Sequence, residues 1–288
     1  MDIYLPQLQP TQPLPVVVWL HGGGWALGDR YLGPDLAARA RASGLAFVAI
    51  EYRLSGVATF PAQLHDVRAA VRYLRAHGER WNLDPSAIGL WGGSAGGHLA
   101  ALAGVTGHIP RLPGEADTGD ASVTAVAASY PPVDLAALAE SKAAVDSEAQ
   151  LRNSFEARLL GDLPSRVPDL AASSHPNNFV TEHAPAFQLS HGTSDALVPH
   201  VQSELLHRAL LGAGVRSELY LLEGYRHGFL NQPGLVDVSM QGVMDDGRLE
   251  REGPASAILY KGSTPQTSVA FDLSTVDRFF SEMLAPPR

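Results

Sequence analysis

The chain has 288 residues, of which 45% are hydrophobic and 18% charged, the balance of a folded domain with a substantial core rather than of a disordered segment. Its formal net charge of −9, with no basic stripe to meet phosphates, argues against a nucleic-acid partner. With no cysteine, disulfides and thiolate metal sites are excluded.

The amino-terminal stretch Met1-Asp2-Ile3-Tyr4-Leu5-Pro6 has no basic segment followed by an apolar core, so no signal peptide is expected. No apolar run approaches the length of a membrane span, and the expected location is the cytoplasm. Strand-like runs fall at 16–20, 45–50, 87–91, 123–129, 186–190 and 217–222. Helical stretches lie between them at about 34–43, 62–80, 96–104 and 200–213. This alternation predicts an α/β fold, a single domain over 1–288 whose mostly parallel sheet is covered by helices on both faces. Within 62–80, Leu64, Val67, Ala70, Val71 and Leu74 recur at helical spacing as the buried stripe, with Pro61 at the start and Gly78 near the end. Arg68, Arg72 and Arg75 are expected to form the solvated face of that helix.

Two strings carry the chemistry. Gly92-Gly93-Ser94-Ala95-Gly96 joins the apolar run Ala87-Ile88-Gly89-Leu90-Trp91 to a helix-like run that begins at Gly97. A strand-to-helix turn this tight needs glycines beside the serine and pushes the serine out above the sheet, at a helix N-terminus that favours developing negative charge. Ser94 is therefore the candidate nucleophile. Far upstream, His21-Gly22-Gly23-Gly24-Trp25 follows the run Val16-Val17-Val18-Trp19-Leu20. Gly23 and Gly24, with the amide of Ala95, would make a three-donor oxyanion hole. No Gly-Lys-Ser, Gly-Lys-Thr or helix-opening Gly-x-Gly-x-x-Gly follows, which disfavours a nucleotide.

A serine hydroxyl needs a base to remove its proton and a carboxylate to hold that base. Asp195 and His227 each follow a candidate strand and complete the order Ser, Asp, His, which is that of the α/β-hydrolases.

At these positions the chain resembles α/β-hydrolase esterases that carry a His-Gly-Gly-Gly oxyanion loop, close to the hormone-sensitive-lipase-like enzymes. It resembles more closely still a bacterial branch that includes feruloyl and acetyl-xylan esterases. Supporting stretches are Asp2-Ile3-Tyr4-Leu5-Pro6, Glu51-Tyr52-Arg53-Leu54, Phe60-Pro61-Ala62-Gln63-Leu64-His65-Asp66, Trp91 to Leu99, His191-Gly192-Thr193-Ser194-Asp195 and His227-Gly228-Phe229. The resemblance implies a serine carboxylesterase that hydrolyses small carboxylic esters through an acyl-enzyme. Ser94, Asp195 and His227 would be its triad, and Gly23, Gly24 and Ala95 its oxyanion donors. Alternatives are an aryl formamidase acting on an N-formyl aromatic amine, a feruloyl or acetyl-xylan esterase, and a non-catalytic binding protein on the same scaffold.

Residues 135–182 interrupt the alternation and are expected either to form a cap-like insertion over the site or to be surface helices without a role in substrate choice. Trp25, Tyr130 and Phe155 are the aromatics placed nearest an acyl or alcohol pocket. At the start, the resemblance begins inside what should be the family's second strand. At the other end, residues 231–273 form an atypical insertion before a final helix-like segment, Ser274 to Leu284. Its strand-like runs, Ala257-Ile258-Leu259-Tyr260 and Ser268-Val269-Ala270-Phe271, suit either covering the sheet edge or pairing with a second subunit in a homodimer.

Among the remaining histidines, His21 is expected to order the glycine loop, and His98 and His191 to be buried hydrogen-bonding groups. His200 and His207 lie about 10 Å apart along a helix axis, too far to share one ion. No motif with ligand spacing is present, so a site without metal or cofactor is expected.

Overall fold

The computed structural model describes residues 1–7, 12–143, 146–235, 242–262 and 264–286. The strands are β1 (Asp2–Tyr4), β2 (Leu14–Leu20), β3 (Ala46–Ile50), β4 (Leu83–Gly93), β5 (Ala125–Ser129), β6 (Ala186–Gly192), β7 (Ser217–Leu222), β8 (Ala255–Tyr260) and β9 (Pro265–Phe271). The helices are α1 (Leu36–Ser43), α2 (Ala62–His77), α3 (Ala95–Thr106), α4 (Leu135–Ala143), α5 (Glu148–Arg152), α6 (Phe155–Leu160), α7 (Pro168–Ser173), α8 (Val201–Gly212), α9 (Arg248–Glu252) and α10 (Leu273–Met283). Among the described residues the strands form one sheet in the order β1-β3-β2-β4-β5-β6-β7-β8-β9. From β3 to β7 all neighbours are parallel.

Sequence alternation decides which residue serves which face. In β2, Val16, Val18 and Leu20 join one core with Leu64, Val67 and Val71 of α2 and Leu99 and Leu102 of α3. Val17 and Trp19 point the other way, into a core shared with Leu36 of α1 and Val276 and Phe280 of α10. Burial on both faces explains the near-continuous apolar runs. Every residue of α3 is buried, and its small residues let it lie close on the sheet.

The candidate strands and helices are all present, with shifted ends. β4 starts at Leu83, and the helix from Ala62 gives way after His77 to a 3₁₀ turn over Gly78–Trp81. β1 spans only three residues, too short for a periodic signal, and pairs antiparallel with β3.

The carboxy-terminal segment is built onto the sheet. β8 pairs antiparallel with β7, from Leu219↔Tyr260 to Leu222↔Ala257, and β9 pairs antiparallel with β8. Covering the β7 edge is thus the use to which these runs are put. Within that segment, residues 236–241 and 263 lie outside the described residues, as do 144–145 of the 135–182 segment. Among the described residues no helix is long and apolar enough to cross a membrane.

The expectation of a solvated arginine face on α2 is overturned at Arg68, whose side chain is fully buried. Its guanidinium donates to Glu115 Oε1 at 2.9 Å and to the carbonyls of Thr106 and Ile109. Arg72 Nη1 donates to the same Glu115 oxygen at 2.6 Å. Burial works against the Glu115 charge, but the bonds from Arg72 and Arg68 prevail and hold its carboxyl at about 2. Periodicity finds the apolar stripe but not a charge that a distant loop neutralises; Glu115 is 47 residues from Arg68.

Removing one partner of a buried pair strands the other charge. Glu115→Ala is expected to lower stability by about 3–5 kcal/mol, measured by urea unfolding at neutral pH.

Candidate active site

Parallel strands put their carboxyl ends on one edge of the sheet, where the loops after β2, β4, β6 and β7 deliver the candidate groups together. Ser94 sits between β4 and α3 with φ 54° and ψ −123°, a strained backbone for a residue with a side chain. Its N–H donates to the Ser129 carbonyl at 2.9 Å, and its carbonyl accepts from His98 N at 3.0 Å. The flanking glycines are required by backbone approach. A Cβ on Gly92 would strike the Gly96 carbonyl, and one on Gly96 would strike the carbonyls of Leu20 and His21. Gly93 is needed too, because its Cβ would lie 2.8 Å from the Tyr130 hydroxyl.

His227 Nε2 lies 2.8 Å from Ser94 Oγ, and its Nδ1 lies 2.6 Å from Asp195 Oδ2. A carboxylate only accepts, so Nδ1 carries the proton and Nε2 is left free to accept from the serine. Asp195 Oδ1 accepts from the amides of Leu197 at 3.0 Å and Val198 at 2.9 Å. His191 Nε2 stands 3.3 Å from Asp195 Oδ2 and donates to the Val198 carbonyl, while its Nδ1 accepts from Ser203 Oγ at 2.7 Å. Burial pushes the Asp195 carboxyl up, yet the neighbouring His191 imidazole and the bond from His227 win and hold it well below the usual carboxylate range. Asp195 is therefore ionised while almost fully buried.

The glycine loop rests on the elbow. A Cβ on Gly22 would come 3.4 Å from Ser94 Cβ. Gly23 and Gly24 take φ 101° and 58°, and among the described residues neither N–H is engaged by a backbone carbonyl. Ala95 opens α3, where a first-turn N–H has no acceptor in its own helix. The ring of His21 stacks on Tyr52 at 4.4 Å, and Tyr52 Oη donates to the His21 carbonyl at 2.9 Å. Tyr52 thus props the loop, a part hidden in the Glu51-Tyr52-Arg53-Leu54 string.

The three aromatics differ. Phe155 opens α6, is 37% exposed, and lays its ring so close to Gly24 that any Cβ there would collide with it. Tyr130 is buried at φ 41°, with its ring edge-on to His227 at 4.7 Å. Trp25 is buried with its ring edge-on to His98 at 5.2 Å and its carbonyl accepting from Ser55 N.

His98 and His191 are fully buried and hydrogen-bonded. His98 Nε2 donates to the Ser174 carbonyl at 2.7 Å, tying α3 to the end of α7. Burial pushes the His98 imidazole down to about 4. His200 pairs with Glu204 at 2.9 Å, and His207 Nδ1 lies 2.8 Å from Ser217 Oγ.

Residues 1–210 match the BD-FAE family model. The chain belongs to the BD-FAE family. Esterase LipC of Mycobacterium tuberculosis is 31% identical over 233 residues, 80% of this chain and 56% of that protein. The chain spans about half the length of the curated relatives it matches. Among solved structures, a truncated carbohydrate esterase from gut microbiota is 32% identical, with a TM-score of 0.69, over 78% of this chain and 82% of the other. An esterase from Thermogutta terrifontis is 28% identical, with a TM-score of 0.62, over 83% and 82%. The fold is accordingly that of the α/β-hydrolase esterases.

Stability is expected to fall as pH drops from about 6.5 toward 4, because the unfolded His98 imidazole takes up a proton that the folded one refuses. His21 and His191, also pushed down by burial, add to the same slope. His98→Gln keeps a donor for Ser174 without titrating, so its urea midpoint should decline less between pH 7 and pH 4 than that of the parent. Equal declines would remove His98 from the account.

Proposed function

We propose that the protein is a serine carboxylesterase that hydrolyses small carboxylic esters through an acyl-enzyme. The observation that carries this reading is the unbroken hydrogen-bonded line from Asp195 through His227 to Ser94, ending on a serine at a strained elbow. As Ser94 Oγ bonds to the ester carbon, its proton passes to His227 Nε2 and the carbonyl electron pair moves onto oxygen. The amides of Gly23, Gly24 and Ala95 receive that oxyanion. Asp195, already ionised, steadies the imidazolium. Collapse of the intermediate expels the alcohol oxygen, which takes the proton from Nε2 and leaves the acyl group on Ser94. Water then gives its proton to Nε2 as it attacks, and Ser94 recovers that proton as the acid departs.

Relatives support ester chemistry with short acyl groups. The Thermogutta terrifontis esterase has been solved with propionate and with butyrate bound, and also phosphonylated by sarin. A second reading, removal of acetyl groups from carbohydrate, is favoured by the likeness to the gut-microbiota carbohydrate esterase and to an acetyl ester-xyloside bifunctional hydrolase from Caldicellulosiruptor lactoaceticus. In either case the 135–182 segment bears on substrate choice through Phe155, whose ring packs on Gly24 beside the oxyanion donors.

Ser94→Ala should stay folded and lose hydrolysis of p-nitrophenyl acetate by about 10⁴-fold or more. Near-normal turnover in that variant would overturn the reading, as would failure of a fluorophosphonate probe to label Ser94. A panel of acetyl, butyryl and feruloyl esters, acetylated xylan and N-formylkynurenine would rank the substrate classes. Phe155→Ala is expected to raise turnover of bulky esters relative to acetyl esters by roughly tenfold. An unchanged ratio on the same panel would take Phe155 out of the pocket.

A further inference from the structure

The loop carrying His227 is gripped from two sides. On the Asp195 side, Gly224 N donates to Thr193 Oγ1 at 2.9 Å and Ser194 N donates to the Tyr225 carbonyl at 2.9 Å, so the aspartate turn and the histidine loop are stitched together. The other side is supplied by residues 242–248, which lie beyond the part of the chain that the family model matches. There Asp245, only 5% exposed, accepts from the Arg226 amide at 2.6 Å, from Arg226 Nε at 3.0 Å and Nη2 at 2.8 Å, and from Arg248 Nη1 at 3.0 Å. Its own N–H donates to the His227 carbonyl at 2.8 Å. One residue therefore holds the N–H of Arg226, just before the histidine, and the histidine's own C=O. Arg248 extends the grip, donating to the Gly224 carbonyl at 2.8 Å with its guanidinium 4.0 Å from the Tyr225 ring centre.

We propose that Asp245 is a positioning residue that fixes the backbone of His227, so that the carboxy-terminal insertion completes the catalytic geometry. This rests on the reading of Ser94, Asp195 and His227 as the reacting groups. The physical reason is the directional demand of the relay: Nδ1 and Nε2 must meet two partners on opposite sides of one ring, and the loop turns at glycines, Gly224 at φ 70° and Gly228 at φ 76°. Between those turns the ring can move only as far as the backbone allows. The clamp on Arg226 and His227 removes that freedom. Burial opposes the Asp245 charge, but the bonds from Arg226 and Arg248 outweigh it and hold the carboxyl below its usual range, so the clamp is fully charged at neutral pH.

Asp245→Asn keeps the shape, removes the charge and turns an amide against arginine donors. Measured well below its melting temperature, it should lose about 10- to 100-fold in kcat on p-nitrophenyl acetate with KM within about twofold. The low-field proton resonance of the His227 Nδ1–H bonded to Asp195 should broaden or vanish, while circular dichroism stays native. Arg248→Gln should shift the same quantities in the same direction by less, and it decides the matter if Asp245→Asn does not fold. A folded variant with unchanged kcat and an unchanged resonance, or one in which KM alone rises, would overturn the proposal. The resonance reports the Asp195–His227 bond without any turnover. A wild-type protein whose fluorophosphonate label falls on a serine other than Ser94 would sink the reading of the reacting groups, while the resonance would still judge the clamp.

Discussion

The site depends on a backbone approach too close for any side chain. At the end of β4 the chain reverses into α3 so sharply that Gly92 leaves no room for a Cβ against the Gly96 carbonyl, and Gly96 none against the carbonyls of Leu20 and His21 at the end of β2. That contact lifts Ser94 into a strained conformation and brings the start of the glycine loop over it. Without it, Ser94 and the glycine loop that follows β2 would stand apart. Strain of about 1–3 kcal/mol at such a residue persists only where the surroundings over-determine it. Here the fully buried α3 and the hydrogen bond from Ser94 N to Ser129 provide that constraint.

Three buried carboxylates, those of Asp195, Asp245 and Glu115, are each met by fixed donors. Asp195 is met by the amides of Leu197 and Val198 and by two imidazoles. Asp245 and Glu115 repeat the pattern with arginines and main-chain groups. A carboxylate solvated in this way need not reorganise when charge moves past it, which is the property that a proton relay requires. The same devices make the interior sensitive to single changes, since removing one partner leaves the others unpaired in a dry environment.

Much of the fold was legible in the chain. The apolar runs of β2 to β7 are dense because both sheet faces are covered, and the stripe on α2 follows the helical period. What escaped had physical reasons. β1 has three residues, fewer than a period can register, and the ends of β4 and α2 depend on local turns. Arg68 sits on a helix where an exposed arginine is the ordinary outcome, and its burial depends on a carboxylate that comes from the loop near Glu115. Phe155 could be named as an aromatic in a long insertion, but its seat on Gly24 depends on how α5 and α6 turn.

The sequence by itself determined the order of the chemistry: a serine between glycines after one strand, three glycines after another, then an aspartate and a histidine after two more. These are local requirements, set by turn sterics and by the strands that precede them, so short strings carry them. Only the tertiary structure decided the distances from His227 to its two partners, the second imidazole beside Asp195, and the clamp that Asp245 closes on the histidine loop. Apart from His191, which stands four residues before Asp195, those contacts join residues 19 to 133 positions apart, through groups as ordinary as a main-chain amide. No local pattern encodes them, because each exists only once the sheet has brought its loops to a common edge.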